Sequence, residues 1–323
     1  MHMADALVST PVALTAGAVA VGLIAISSAK IKKITRDDIV PLMGVMGAFV
    51  FAAQMINFAI PGTGSSGHII GGILLAALLG PWAAFITLAS VLMIQCLIFA
   101  DGGLMALGCN IINMGAMSCL IAYPLVYRPL AGKSISKARI TVASIISCIF
   151  ALELGAVCVT AETELSGVTA LSTSRFLALM SGIHLAIGLC EGIATAVVLS
   201  FLCSYKPDML YSPNNLSGGE RADKGEKKLS KKTKVILGGF ALVALILAVG
   251  FNWIASENPD GLEWSIEKIT GSTEIGVASV PSTALMPDYD STFAGIVGGI
   301  IVMAVLWAIC ALIFARKKIK HQS

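Results

Sequence analysis

Four histidines, His2, His68, His184 and His321, are the side chains of this 323-residue chain best suited to metal or proton chemistry. The chain opens Met1-His2-Met3. A side chain as large as His at the second position is expected to block removal of the initiator Met, which leaves a free amine on Met1. That amine, the His2 amide nitrogen and the His2 Nδ1 can close a five- and a six-membered ring about one ion. Ni(II) and Cu(II) favour such planar nitrogen sets, and coordination can remove the amide proton. His68 is the natural fourth ligand. It follows Pro61-Gly-Thr-Gly-Ser-Ser-Gly67, whose glycines permit tight turns near an ion, and the Ser65 and Ser66 hydroxyls are expected to orient its ring. The bland alternative makes His2 a frayed terminal residue and His68 a polar residue at the start of a helix.

Glu153, His184 and Glu191 lie within apolar runs, with His184 and Glu191 seven apart on one helical face. Ionisable groups at such positions serve either a proton relay or the bracing of helices by hydrogen bonds. His321 sits in a basic tail and reads as a solvated residue. Gly62 to Gly67 mimics the spacing of a phosphate loop, but His68 and Ile69 stand where Lys and Ser or Thr are required. With no other nucleotide signature, the chain is not expected to drive transport with ATP by itself, nor to be an enzyme. The eight cysteines contain no CxxC and read as small core residues, not as a disulfide frame or a zinc site.

The elements that must position these residues are membrane helices. Apolar residues make up 56% of the chain and charged residues 13%, with a mean hydropathy of +0.87, and the apolar residues fall in runs of about 20. The runs cover 11–29, 40–60, 69–100, 104–126, 140–161, 176–202, 235–255 and 293–315. The run 69–100 is broken at Gly80-Pro81 and fits two tilted or shortened helices, or a re-entrant pair. Lys and Arg cluster at 30–36, 128–139, 206–234 and 316–320. Placing every cluster inside gives nine crossings, an outward N-terminus and an inward C-terminus. The small net charge of +3 and the scattering of basic residues between apolar runs exclude nucleic-acid binding. The expectation is an all-α integral membrane protein: a seven-span bundle (1–203), a basic cytoplasmic linker (204–234) and a two-span accessory unit (235–323) with an acidic outer loop (256–292). In the first span, Ala16/Ala20 and Ala18/Gly22 form stripes that let another helix approach closely, whether internal or from a separate subunit.

Met1-His-Met-Ala-Asp-Ala, 41–57, Pro61-Gly-Thr-Gly-Ser-Ser-Gly-His68 and Asp101-Gly-Gly-Leu-Met-Ala-Leu-Gly-Cys-Asn110 strongly resemble the nickel/cobalt substrate-capture subunit of energy-coupling-factor transporters. Asn258-Pro-Asp-Gly-Leu-Glu263 is similar to the PDGLE signature of their small two-span accessory subunit. The resemblance implies a fused form of the two, with metal bound at the outer side by Met1, His2 and His68 and supported from behind by Ser65, Ser66 and Asn110. It implies no cofactor of the chain's own, since Ni(II) or Co(II) is cargo. The implied partners are a transmembrane coupling subunit and cytoplasmic ATPases, in a prokaryotic cell membrane. Nickel is favoured, with cobalt next. A proton-coupled secondary transporter working through Glu153, His184 and Glu191 is the alternative.

Overall fold

The computed structural model describes residues 1–34, 36, 38–132, 136–211, 229–250, 255–273, 284–286 and 292–319. Most of the linker (212–228), Glu274, Asp288, Asp290 and His321 lie outside the described residues.

The apolar runs become helices because a chain in lipid must pair its backbone groups internally. In order these are α1 (Thr10–Ile31), α2 (Ile39–Gln54), α3 (Gly72–Leu79) and α4 (Pro81–Phe99). Next comes a continuous rod of α5 (Leu107–Asn110), a wide-turned π-type stretch (Ile111–Tyr127) and α6 (Arg128–Ala131). The long pair α7 (Lys137–Ser166) and α8 (Thr173–Tyr205) closes the first part, and α9 (Lys231–Gly250), α10 (Gly261–Thr270) and α11 (Thr292–Ile319) form the second. Among the membrane-length helices α4 is the most buried, with 78% of its apolar stretch inside the protein against 22% for α1. The eight cysteines remain free thiols.

Among the described residues, seven helical rods are long and apolar enough to cross a membrane. All nine expected helical runs are present, but α2 has 16 residues and α3 has 8. An eight-residue helix rises only about 12 Å, against a hydrocarbon core about 30 Å thick. The expected outer loop after α2 is the reason. Residues 55–71 leave the helix and build an antiparallel hairpin, β1 (Phe58–Ile60) against β2 (Ser65–Gly67), with Ala59 opposite Ser66. All three β2 residues are buried. The run 69–100 is therefore a short helix and a full one. They turn at Gly80, whose φ of +79° suits glycine, with Pro81 at the first position of α4. Carbonyls at the end of α3 are capped from elsewhere in the chain. Arg36 Nη1 donates to Leu78 O at 2.8 Å and the Tyr211 backbone N–H to Ala77 O at 2.7 Å.

The two stripes of α1 have different fates. Ala16 and Ala20 are buried, the former beside Gly108 of α5, whereas Ala18 and Gly22 stay exposed together with Leu14, Val19, Val21 and Ile26.

The second part attaches through α11 and α9, which pack along α2. Gly298 of α11 lies flat on the Phe51 ring, with no room for a methyl group, whereas Gly238 of α9 has open space around it. Gly298→Ala is expected to force α11 away from α2 at a cost of about 1–3 kcal/mol, and Gly238→Ala to be neutral or slightly stabilising. Thermal unfolding of the two variants checks the difference.

Candidate metal centre

The N-terminal arm and the hairpin meet at one end of the bundle. Residue 3 is pinned on both sides. Met3 N donates to Asn110 Oδ1 at 2.8 Å, and Met3 O accepts from Asn110 Nδ2 at 3.2 Å and Gly103 N at 2.9 Å. Asp5 Oδ1 accepts from the Met105 and Ala106 backbone N–H groups at 2.7 and 3.1 Å. The Met1 side chain is buried against Gly155, where a methyl group would come within 2.7 Å of its sulfur. With residues 1 and 3 both fixed, His2 has little freedom.

The Met1 amine lies 3.4 Å from His68 Nε2. An ammonium group offers only donors, so Nε2 is the acceptor and the His68 proton sits on Nδ1, 3.3 Å from Ile69 O. His68 thus presents a lone pair to the amine. The His2 ring stacks on that of His68, with centroids 5.0 Å apart and planes inclined by 28°. Its Nε2 is 3.3 Å from Gln95 Oε1 and its Nδ1 3.3 Å from Asp101 Oδ1. Both oxygens only accept and the neutral ring has one N–H, so it donates either to Asp101 from Nδ1 or to Gln95 from Nε2, and the second tautomer leaves the lone pair on Nδ1. Gln95 donates onward to Gln54 Oε1 at 2.7 Å, and Gln54 Nε2 to Ile70 O at 2.8 Å. The support behind His2 therefore returns to the segment that carries His68.

Asp260, at the start of α10, is the group that the sequence reading missed. Its Oδ2 accepts from the Met1 ammonium and lies 3.9 Å from His68 Nε2. The second part of the chain delivers it by adding an extended segment to the hairpin. Ser66 N donates to Pro259 O at 2.8 Å, forming a parallel bridge between Ser66 and Asp260. Trp264 Nε1 donates to Thr63 O at 2.9 Å. Asp260 also caps α10 in a reciprocal box with Glu263. That spacing, Asp260-Gly-Leu-Glu263 before an amphipathic run, was the available signal.

One expectation needs correction. The hydroxyls of Ser65 and Ser66 do not orient the imidazole. Ser66 Oγ donates to Asn258 O at 2.7 Å, and Ser65 Oγ lies 3.0 Å from Ser66 O and 3.3 Å from Pro259 O, so both hydroxyls are taken up by backbone acceptors in a buried place. Asn110 holds the backbone of Met3 and not a ring. His184 and Glu191 share a face but not a bond. Both Glu191 oxygens accept main-chain N–H groups, from Ile70 at 2.7 Å and Gly71 at 3.0 Å, which fixes the start of α3. The Nδ1 of His184 donates to Met180 O at 2.7 Å.

Burial, followed by the charge of the terminal ammonium, lowers His2 from 6.5 to about 3 and His68 from 6.5 to about 4. Burial pushes the Asp260 carboxyl up, but the ammonium beside it prevails and holds it well below the usual carboxylate range. Near neutral pH the site thus holds two neutral imidazoles and one ion pair. Among the described residues, no three His, Cys, Asp or Glu side chains gather closely enough to hold an ion, so an ion here would need main-chain nitrogen as well.

Known proteins resemble both parts of this chain. The profile described as cobalt uptake substrate-specific transmembrane region matches residues 2–209, and that of the PDGLE domain matches 233–315. A putative fused nickel transport protein of Archaeoglobus fulgidus is 30% identical over 96% of this chain and 98% of its own length. A cobalt transport protein of Sorangium cellulosum is 32% identical over 65% of this chain and 94% of its own. A crystal structure of a transition metal transporter is similar with a TM-score of 0.56 and 30% identity, covering 63% of this chain and 93% of that one.

The lowered imidazoles fix how the docked arm responds to acid. A released arm takes up protons that the docked arm does not, so docking is most favourable above about 6.5 and is lost as pH falls towards 4 and then 3. The ammonium–Asp260 pair persists through that window, because its carboxyl titrates lower. Hydrogen-exchange protection of the Met3 amide is expected to fall across the window, and the fall to flatten in His2→Gln and His68→Gln.

Proposed function

The chain belongs to the family of cobalt uptake substrate-specific transmembrane regions, and from that premise we propose that it captures Ni(II) or Co(II) from outside the cell for uptake. It is a multi-pass membrane component of nickel or cobalt transport. The observation that carries the proposal is the convergence of the Met1 amine, the His2 ring and the lone pair of His68 Nε2 in one buried nook. We assign the ligands as the Met1 amine, the amide nitrogen and Nδ1 of His2, and Nε2 of His68. Binding releases the ammonium and amide protons to solvent, and the ion takes the place of the proton that Asp260 accepts.

A planar four-nitrogen set makes Ni(II) the preferred cargo and Co(II) the second, while Cu(II) would bind tighter still by the same order. The basic clusters support a prokaryotic cell membrane with the N-terminus outside and the C-terminus inside. We divide the chain into a capture unit (1–203), a linker (204–234) and an accessory unit (235–323). Resemblance to energy-coupling-factor transporters supports a separate coupling subunit and cytoplasmic ATPases as the source of energy. The exposed apolar face of α1 around Ala18 and Gly22 is the surface we assign to that subunit. A proton-coupled carrier is less well supported, because both Glu191 oxygens are occupied by backbone N–H groups.

Calorimetric titration tests the assignment. The full chain is expected to bind one Ni(II), more tightly than Co(II), with affinity rising with pH. One extra residue before Met1, or His68→Ala, should weaken binding by at least about tenfold while the protein stays folded. Unchanged binding in the extended chain would place the metal elsewhere.

A further inference from the structure

Resting on the capture function just proposed, we infer that Asp260 and His184 form a transfer position for the divalent cation, an oxygen–nitrogen pair that holds the ion before the four-nitrogen set closes. The starting observation is an orphaned atom. His184 is 1% exposed, and among the described residues its buried Nε2 has no hydrogen-bond partner. Its tautomer is fixed, since Nδ1 faces the Met180 carbonyl at 2.7 Å and must donate to it. Nε2 therefore carries a lone pair and nothing to accept. Leaving such an acceptor unpaired in a dry interior is costly. An imidazole whose Nδ1–H is tied to a backbone carbonyl, with Nε2 presented bare, is how metal-binding histidines are commonly prepared.

The position of the ring says what it is prepared for. Its Cε1 edge lies against Gly261, where a methyl group would come within 3.3 Å of it. Gly261 follows Asp260 directly, and the ring is within electrostatic reach of Asp260, His68 and the terminal amine. Exposure orders these groups. The Asp101 and Asp260 side chains are 22% and 18% exposed, against 9% for His2, 6% for His68 and 2% for the Met1 terminus. A hydrated cation arriving from solvent therefore meets carboxylates first, and of the two Asp260 is the one that contacts the amine. Carboxylate oxygen suits an ion still holding water, whereas the inner nitrogens suit a late transition metal that has shed it. Asp260 and His184 together can hold the ion while the amine loses its proton to solvent and turns from the carboxylate to the metal.

Two near-isosteric variants separate this role from a structural one. His184→Asn can keep a side-chain N–H for Met180 O while removing Nε2. Asp260→Asn keeps a good helix cap while removing the charge. Ni(II) alone is mixed rapidly with the full-length chain, and the ligand-field absorption of the planar nitrogen-bound ion is followed. Each variant is expected to load about tenfold more slowly or worse, with a final spectrum identical to that of the parent, and the double variant to be no slower than the slower single one. Unchanged loading rates overturn the inference. So does an altered final spectrum, since the residue would then belong to the resting ligand set. If the Asn variant at 184 does not fold, His184→Leu, which fills similar space and supplies no ligand atom, replaces it. A parent chain that binds no Ni(II), or binds it equally with a residue added before Met1, overturns instead the capture function from which the inference starts.

Discussion

The structure turns on the satisfaction of main-chain polar groups in a segment that is neither helical nor exposed. Residues 55–71 sit among membrane-length helices, where an unpaired N–H or C=O is expensive. Polar side chains from those helices meet the demand. Glu191 of α8 accepts from Ile70 and Gly71, and Gln54 at the end of α2 donates to Ile70. The hairpin pairs β1 with β2, and the segment from 258 to 260 takes up a further N–H of the hairpin and supplies acceptors for its two serine hydroxyls. Only with this lattice complete can His68 stand at a defined place deep in the bundle. The shortness of α3 is part of the same arrangement, since helix is given up where chain is needed for the site.

A second constraint follows from the first. Bringing the charged amine to this depth requires a counter-charge. No acidic residue of the hairpin supplies it, and Asp260 does, from 259 residues along the chain. Each charge makes the other tolerable. Both imidazoles are kept neutral first by burial and then by repulsion from the ammonium, which together outweigh the opposing attraction of Asp260.

Much of this was legible in the sequence because membrane helices are written in long runs that tolerate little ambiguity. Met1, His2 and His68 were legible as candidates because nitrogen chelation has a fixed atom count that can be read from one end of the chain. The hairpin was not, because Ser65-Ser66-Gly67 has the composition of a solvated loop, and its burial depends on Glu191 and Gln54, distant in sequence. His184 and Glu191 looked like a pair because helical spacing reports a shared face and says nothing of partners. Asp260 was hidden among other acidic residues of its loop. Its capping spacing marked a helix start, but where that helix docks is set by the packing of α9 and α11 on α2.

That packing gives the joining of two units in one chain a physical meaning. The helix α2 carries α9 and α11 along its side and ends directly in the hairpin. Where it ends, Ser256 N donates to Asn57 O at 2.7 Å, and further along the hairpin Ser66 N donates to Pro259 O. Asp260 is thus placed by a continuous run of contacts, with the covalent link removing the need for a separate encounter. Tethering of this kind presents one partner to the other at an effective concentration on the order of millimolar, so the carboxylate is a standing component of the site. In the ligand set proposed above, an ion that claims the amine separates this ion pair and itself becomes the positive partner of Asp260, so the carboxylate is never left buried without a counter-charge.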